Sequence, residues 1–304
     1  MIASQAELTE QLLNSGLWVS SKVNGVFGWG RGFETVISAL DNRITQFSEA
    51  DAATQINFPP ILDRSILART GYLQSFPELC GSVHSFCGSE HEHQALLTAV
   101  EGDTDWSPHL KQTDVALTPA VCYPLYPTLT GTLPEEGVLY SLSSYVFRHE
   151  PSLDPARLQA FRMRENVRLG NQAQVVAWRQ LWMDRALSLL KKLELDVELD
   201  IATDPFFGRG GKMMKANQKQ DEGKFEILCP ITSSEEPTAI ASFNYHQRKF
   251  SSVFDILLSD GELAHSACIG FGLERCALAL FSTHGMAMES WPAGVRQELG
   301  LQVR

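Results

Sequence analysis

Residues 145–165 read YVFRHEPSLDPARLQAFRMRE. Aromatic and apolar residues alternate with polar ones, break at PSLDP, and resume. The pattern predicts two paired strands, over 137–150 and 156–170, joined by a proline-bounded loop. Arg148 and Glu150 are two apart, so on a strand they share a face. Phe161 and Glu165 fall on the second strand and Arg157 at the bend. By residue type the set is open between two readings. One is a solvated cross-strand ion pair. The other is a nucleotide site, with Arg148 on a phosphate, Phe161 stacked on a base and Arg157 reaching the outer phosphates.

Outward from this pair, residues 4–14 read as a short amphipathic helix with Leu8 and Leu12 on one face. Asn24-Gly25 predicts a hairpin turn. Phe33, Val36, Ile37, Leu40 and Ile44 recur at helical spacing, which predicts a helix over 32–49. INFPPIL reads as extended through Pro59 and Pro60. Ser89 and Glu92 form a capping box for the helix beginning SEHEHQ. LTPAVCYPLYPTL reads as β-like. Residues 171–193 predict a long helix burying Val175, Trp178, Leu181, Trp182, Leu189 and Leu190. KFEILCPI, TAIASFNYHQ and SSVFDILL alternate as strands, and the last helix is expected from Gly270 to about Thr283. Helices precede strands without βαβ alternation. The expected class is α+β, an antiparallel sheet flanked by helices, in one domain over 1–304.

Composition narrows the function classes. The 304-residue chain is 44% hydrophobic and 20% charged, ordinary for a globular protein. No apolar run reaches membrane-spanning length. Glu7 and Glu10, without a basic run, argue against a secretory signal. Six cysteines without close pairing do not make a disulfide framework, and a reducing cytoplasm is expected. A net charge of −11 argues against broad nucleic-acid binding.

A second chemical stretch is AHSACIGFGLERCALALF, residues 264–281. Gly270 and Gly272 leave room for close approach of a backbone or ligand, and Arg275 follows in the first turn of a helix. No Walker lysine follows. A helix start with a salt-bridged arginine and a nucleotide-facing cation are both open. His91 and His93, two apart on a helix, cannot face one ion together.

The two stretches together resemble the second and third signature motifs of class II aminoacyl-tRNA synthetases, in FRHE…RLQAFRMRE and GFGLER. INFPPIL is a weaker match to the first, dimer-interface motif. Over roughly residues 33–285 the chain is most similar to seryl-tRNA synthetase cores. GYLQSFPEL, KFEILCPI and SFNYHQ resemble further segments of those cores. Where ordinary seryl enzymes place a Thr and a Glu for the substrate amine, this chain has Ala120 and Cys122. The resemblance to atypical archaeal seryl enzymes implies a zinc site of Cys122, Glu165 and Cys268, expected on three converging strands. Cys80, Cys87, Cys229 and Cys276 are left as small apolar residues. No tRNA-binding domain is expected before the core. In this the chain looks like the bacterial amino acid–[acyl-carrier-protein] ligases.

That resemblance implies ATP-dependent activation of glycine or alanine to an aminoacyl-adenylate. The aminoacyl group then passes to the phosphopantetheine thiol of a small acidic carrier protein. It implies a homodimer that uses zinc and Mg²⁺, with no tRNA and no membrane. Arg148 would neutralise the α-phosphate. Arg275 would sandwich adenine against Phe161. Arg157 would clamp the outer phosphates, Leu158 would read the adenine edge through its backbone, and Glu150 would accept from the adenine amine. Lys224 and the strand residues Ala239, Ile240, Ala241 and Ser242 would hold nucleotide and ribose, with Glu226 a candidate Mg²⁺ ligand. Asn244 and His246 would line the amino-acid pocket. Arg209, Lys212, Lys215 and Lys219 form a basic segment open between carrier docking and a solvated loop. A tRNA-charging enzyme with an RNA-binding partner, and a non-catalytic paralogue, are the alternatives.

Overall fold

The computed structural model of the chain describes residues 2–301, apart from 208–211, 213, 214, 217 and 219–221. Five longer helices are labelled in chain order: α1 (Gln5–Asn14), α2 (Arg31–Ala50), α3 (Glu90–Glu101), α4 (Gln172–Lys192) and α5 (Leu273–His284). The strands of the main sheet are β1 (Thr54–Gln55), β2 (Val138–Phe147), β3 (Ala160–Gly170), β4 (Glu198–Ile201), β5 (Lys224–Cys229), β6 (Thr238–Gln247) and β7 (His265–Gly272).

The sheet has the order β4-β5-β6-β7-β3-β2-β1. Every pair is antiparallel except β1 with β2. The expected α+β class therefore stands. The hairpin at Asn24-Gly25 forms, with Gly25 at φ +73° as the tight turn requires. α2 spans two residues more than its apolar period marked, and buries the five residues that the period picked out.

Register fixes what each sheet face does. Arg164, Phe271, Ala241 and Ile227 lie in one cross-strand row, and Asn166, Ile269, Phe243 and Phe225 in the next. This face is roofed by helices. Arg164 forks onto Asp41 of α2 through Nε and Nη2, each at 2.7 Å. Ser48 of α2 donates to Asn166 at 2.6 Å. Phe271 meets Trp182 of α4. Planar bidentate pairs of this kind fix geometry as well as charge, so α2 is pinned to β3 by polar bonds as well as by apolar packing. Phe33 of α2 stacks on Phe281 of α5 at 5.6 Å, which closes the layer. The buried apolar residues form one continuous cluster.

Five local expectations are corrected. Residues 249–254 form a short helix, Lys249–Phe254, leaving only Ile256–Leu257 as strand. Gly270 and Gly272 belong to β7, and the helix begins at Leu273. Leu181 is exposed, while Arg179, Met183 and Ala186 join the buried face of α4. Residues 118–130 form turns and the 3₁₀ turn Tyr126–Leu129 in place of a strand. Pro119, Pro124 and Pro127 remove ladder donors there. Arg148 and Glu150 also lie just beyond the end of β2.

Candidate active site

The opposite face carries the polar rows. Glu165, Gly270, Ser242 and Glu226 stand in register across β3, β7, β6 and β5. Val167, Cys268, Asn244 and Lys224 form the adjacent row. Alternation along each strand puts both rows on one face, away from the helices. Ala241 falls on the helix side, so only its backbone can serve this face.

Cys122 reaches the face from the turn above it. Its backbone N–H donates to Glu165 Oε2 at 2.6 Å. The ligand atoms of Cys122, Glu165 and Cys268 lie within 4.8 Å of one another, and all three residues are buried. The three sequence positions therefore converge, although one arrives from a turn and not from a strand. The hydrogen bond to Cys268, burial and the charge of Glu165 push the Cys122 thiol well up. Burial pushes Glu165 up against its bonds to Cys122. Two thiols and a carboxylate are the donor set that zinc takes, and a bound divalent ion would reverse both shifts. The residues fit that ion.

Around the cluster, Asn244 Nδ2 lies 3.7 Å from Cys268 Sγ, and His246 Nε2 lies 3.9 Å from it. His246 Nδ1 is 3.4 Å from the Tyr126 hydroxyl, and its ring stands edge-on to Phe250. Burial, with Lys249 nearby, pushes His246 down to about 3, so the imidazole is neutral.

A second group flanks Phe161. The Arg148 guanidinium lies 5.6 Å from the ring centroid and that of Arg275 lies 6.0 Å away. Arg148 Nε donates to Pro119 O at 3.2 Å. Arg275 donates to Ala156 O at 2.8 Å and Ala239 O at 3.0 Å. Among the described residues neither arginine has a carboxylate partner. An Arg148–Glu150 pair and a salt-bridged Arg275 are thus not seen among the described residues. Glu150 pairs with Arg157 at 3.5 Å, and Glu274 binds Arg162. Burial, then repulsion from Arg148, lowers the proton affinity of Arg275. Leu158 is buried beside this group. A Cβ added at Gly272 would meet Arg275 Cδ at 3.7 Å, an ordinary contact, so the Arg275 side chain does not itself require glycine there.

Lys224 has two partners, Asp204 at 2.6 Å and Glu226 at 2.9 Å. Burial alone would lower the ammonium, but the two carboxylates outweigh it and hold it above its ordinary value. Asp204 is held low by the same bond, against its burial. Sequence reasoning missed Asp204, since nothing in ATDPFF marks its partner on β5. Ser242 Oγ accepts from Asn244 at 3.4 Å, and the carbonyl of Ile240 accepts from Cys276. Of the basic segment, Lys212 is exposed and Lys215 half-buried, while Arg209 and Lys219 lie outside the described residues.

No family model matches the chain. Amino acid–[acyl-carrier-protein] ligase 1 of Bradyrhizobium diazoefficiens is 42% identical over 288 residues, covering 94% of this chain and 88% of that protein. Ligase 2 of the same organism is 42% identical over 279 residues, covering 91% and 83%. Among solved structures, M. kandleri SerRS, solved in complex with A. aeolicus tRNASec, superposes with a TM-score of 0.83 at 18% identity. The superposition covers 98% of this chain but 61% of that one, so the shared part is the class II synthetase fold alone. Two relatives at 42% identity over nearly their whole length settle the matter: the chain is an enzyme of the amino acid–[acyl-carrier-protein] ligase family.

Proposed function

We propose that this chain uses ATP to activate a small amino acid, glycine or alanine, and transfers it to the phosphopantetheine thiol of a small acidic carrier protein. The observation that carries the reading is the pair of guanidiniums on Arg148 and Arg275, without a carboxylate partner among the described residues, beside Phe161 and on the sheet face that also holds Cys122, Glu165 and Cys268. Two guanidiniums without an ion-pair partner among the described residues suit a polyanion, and an aromatic ring beside them suits a base.

In the activation step the amino-acid carboxylate attacks the α-phosphorus and pyrophosphate leaves. The work asked of the protein is positioning and charge stabilisation. Arg148 would meet the α-phosphate, and Arg275 would lie on adenine opposite Phe161. Arg157, exposed and held among the described residues only by long contacts to Glu150 at 3.5 Å and Asp154 at 3.8 Å, would take the outer phosphates. Glu150 and the Leu158 backbone would read the adenine edge. The strand residues Ala239, Ile240, Ala241 and Ser242 offer backbone groups and the Ser242 hydroxyl to nucleotide and ribose. Lys224 would face the nucleotide, with Glu226 beside it as the candidate Mg²⁺ ligand. Zinc held by Cys122, Glu165 and Cys268 would supply a Lewis-acid position for the substrate α-amine. Asn244 and neutral His246 would wall that position and keep the pocket small. Excluding one methyl group is worth only about 1–3 kcal/mol, so glycine and alanine are hard to separate by a wall alone.

We further infer a single catalytic domain, a cytoplasmic location and a homodimer. The dimer rests on INFPPIL, whose Pro59 and Pro60 lie exposed, and sedimentation tests it. ATP–pyrophosphate exchange over the small amino acids, followed by transfer to holo-carrier protein and to bulk tRNA in parallel, tests the function. Exchange with glycine or alanine and transfer to carrier alone is the expected result. Charging of tRNA without carrier would overturn it.

A further inference from the structure

Tyr72 stands at the start of the short helix Tyr72–Ser75, directly after Gly71 at φ +72°. The residue is 5% exposed, and its hydroxyl has no hydrogen-bond partner among the described residues. A buried hydroxyl without a partner is an uncompensated desolvation cost. Other such groups occur, among them the indole N–H groups of Trp18, Trp178 and Trp182, Asn166 Nδ2, Arg179 Nε and the hydroxyls of Thr118, Ser251 and Ser266. Tyr72 differs in what surrounds it.

Its ring meets Tyr123 edge-on at 5.7 Å, and Tyr123 follows Cys122 in the chain. On the other side, the carbonyl of Leu79 accepts from the His149 amide at 3.1 Å, which ties this segment to the stretch carrying Arg148 and Glu150. The Ser75 carbonyl accepts from Phe207 at 2.9 Å, which ties it to the loop of Asp204. Phe76 stacks on Phe206 and stiffens that junction. Burial holds the phenol protonated, its pKa pushed up to about 12, so at neutral pH it is a donor; the charge of Arg148 acts on it next most strongly.

We propose that Tyr72 is a substrate-contacting residue whose hydroxyl donates to an anionic oxygen at the junction of amino acid and phosphate, between the thiol–carboxylate cluster and Arg148. The proposal rests on the reading that this site forms an aminoacyl-adenylate. A neutral donor suits that position. It adds a directed hydrogen bond to the oxygen that Arg148 attracts, without adding a third cation to the repulsion already acting between Arg148 and Arg275.

The test is Tyr72→Phe, with three readouts on the full chain. These are the melting temperature of the free protein, the affinity for glycyl- and alanyl-sulfamoyl adenosine, and separate KM values for amino acid and ATP in pyrophosphate exchange. Losing an unpartnered hydroxyl should leave the free protein as stable as before or more so. Affinity for the analogue should fall by at least about tenfold. A larger loss on the amino-acid side places the bond on the carboxylate, and a larger loss on the ATP side places it on the phosphate. Analogue affinity equal to that of the unaltered protein overturns the role of Tyr72 and leaves the adenylate reading intact. An unaltered protein that neither binds the analogue nor catalyses exchange overturns both.

Discussion

Cys122 and Glu165 are joined through the backbone of one and the side chain of the other, the Cys122 amide donating to Glu165 Oε2 at 2.6 Å. One carboxylate oxygen is thus committed to the turn, and Oε1 is left for a ligand. Truncating the Cys122 side chain leaves this bond in place. Cys122→Ala should therefore fold and melt close to the unaltered protein, bind no zinc, and lose pyrophosphate exchange by more than about 100-fold. Metal analysis alongside calorimetry checks it. Full exchange activity in the metal-free variant would refute the site.

Cys268 and Cys276 sit either side of the GFGLER turn with opposite surroundings. Cys268 Sγ faces Cys122 and Glu165, whereas Cys276 Sγ is buried behind the sheet and points to Ile240 O at 3.5 Å. Cys268→Ser should abolish zinc binding. Cys276→Ser should keep it and lose about 1–2 kcal/mol of stability, the cost of a buried hydroxyl. Equal metal content in the two variants would sink the division.

Glu274 and Arg275 are adjacent but do different work. Glu274 is fully buried, and accepts from the Arg162 backbone at 2.7 Å and from Arg162 Nε at 2.8 Å, while Glu34 takes the rest of that guanidinium. Glu274→Ala should destabilise by about 3–5 kcal/mol, as removal of one partner from a buried pair does. Arg275→Ala breaks two bonds to carbonyl oxygens and no ion pair, so the loss should appear in the KM for ATP more than in the melting temperature. Chemical denaturation beside exchange kinetics separates the two effects.

The Asp204–Lys224 pair predicts a pH window. Asp204 is depressed in the folded state, so its contribution is present above the ordinary carboxylate value and is lost as pH falls through its folded value. Lys224 is raised, so its contribution is present below the ordinary lysine value and is lost as pH rises through its folded value. Asp204→Asn should cost roughly 1–3 kcal/mol at neutral pH. The difference from the unaltered protein should shrink in acid below the carboxylate range and again above the lysine range. A difference that stays constant from acid to alkali would show that the pair is not the cause.

Much of this was legible because short-range rules governed it. The apolar period of α2, the Asn24-Gly25 turn and the alternation of β2 and β3 involve neighbours within a few residues. The convergence of Cys122, Glu165 and Cys268, and the gathering of Arg148 and Arg275 about Phe161, were legible only through resemblance, since these residues are remote from one another in sequence. What stayed hidden depended on distant contacts or on competition between weak signals. Prolines overruled apolar alternation at Cys122. In SSVFDILL a six-residue helix prevailed where a strand was expected, because Phe250 packs face to face on Tyr126 at 3.9 Å. Asp204 carries no local pattern, since its partner is a lysine on β5; Tyr72 lies in the GYLQSFPEL stretch, but nothing in that stretch marks its hydroxyl as unpartnered among the described residues.

The interleaving along β3 has a consequence for how this enzyme can change. Arg162 and Arg164 anchor the helices, while Phe161 and Glu165 lie on the opposite face, toward Arg148 and toward the Cys122–Cys268 cluster, and the two sets alternate along the strand. Inserting or deleting one residue within the strand would aim a guanidinium at the cluster and a carboxylate at α2. Architecture and catalysis would fail together. Insertions and deletions should therefore be tolerated in the connections between strands, and a library built to alter substrate choice should diversify those connections while leaving the count of residues in β3 untouched.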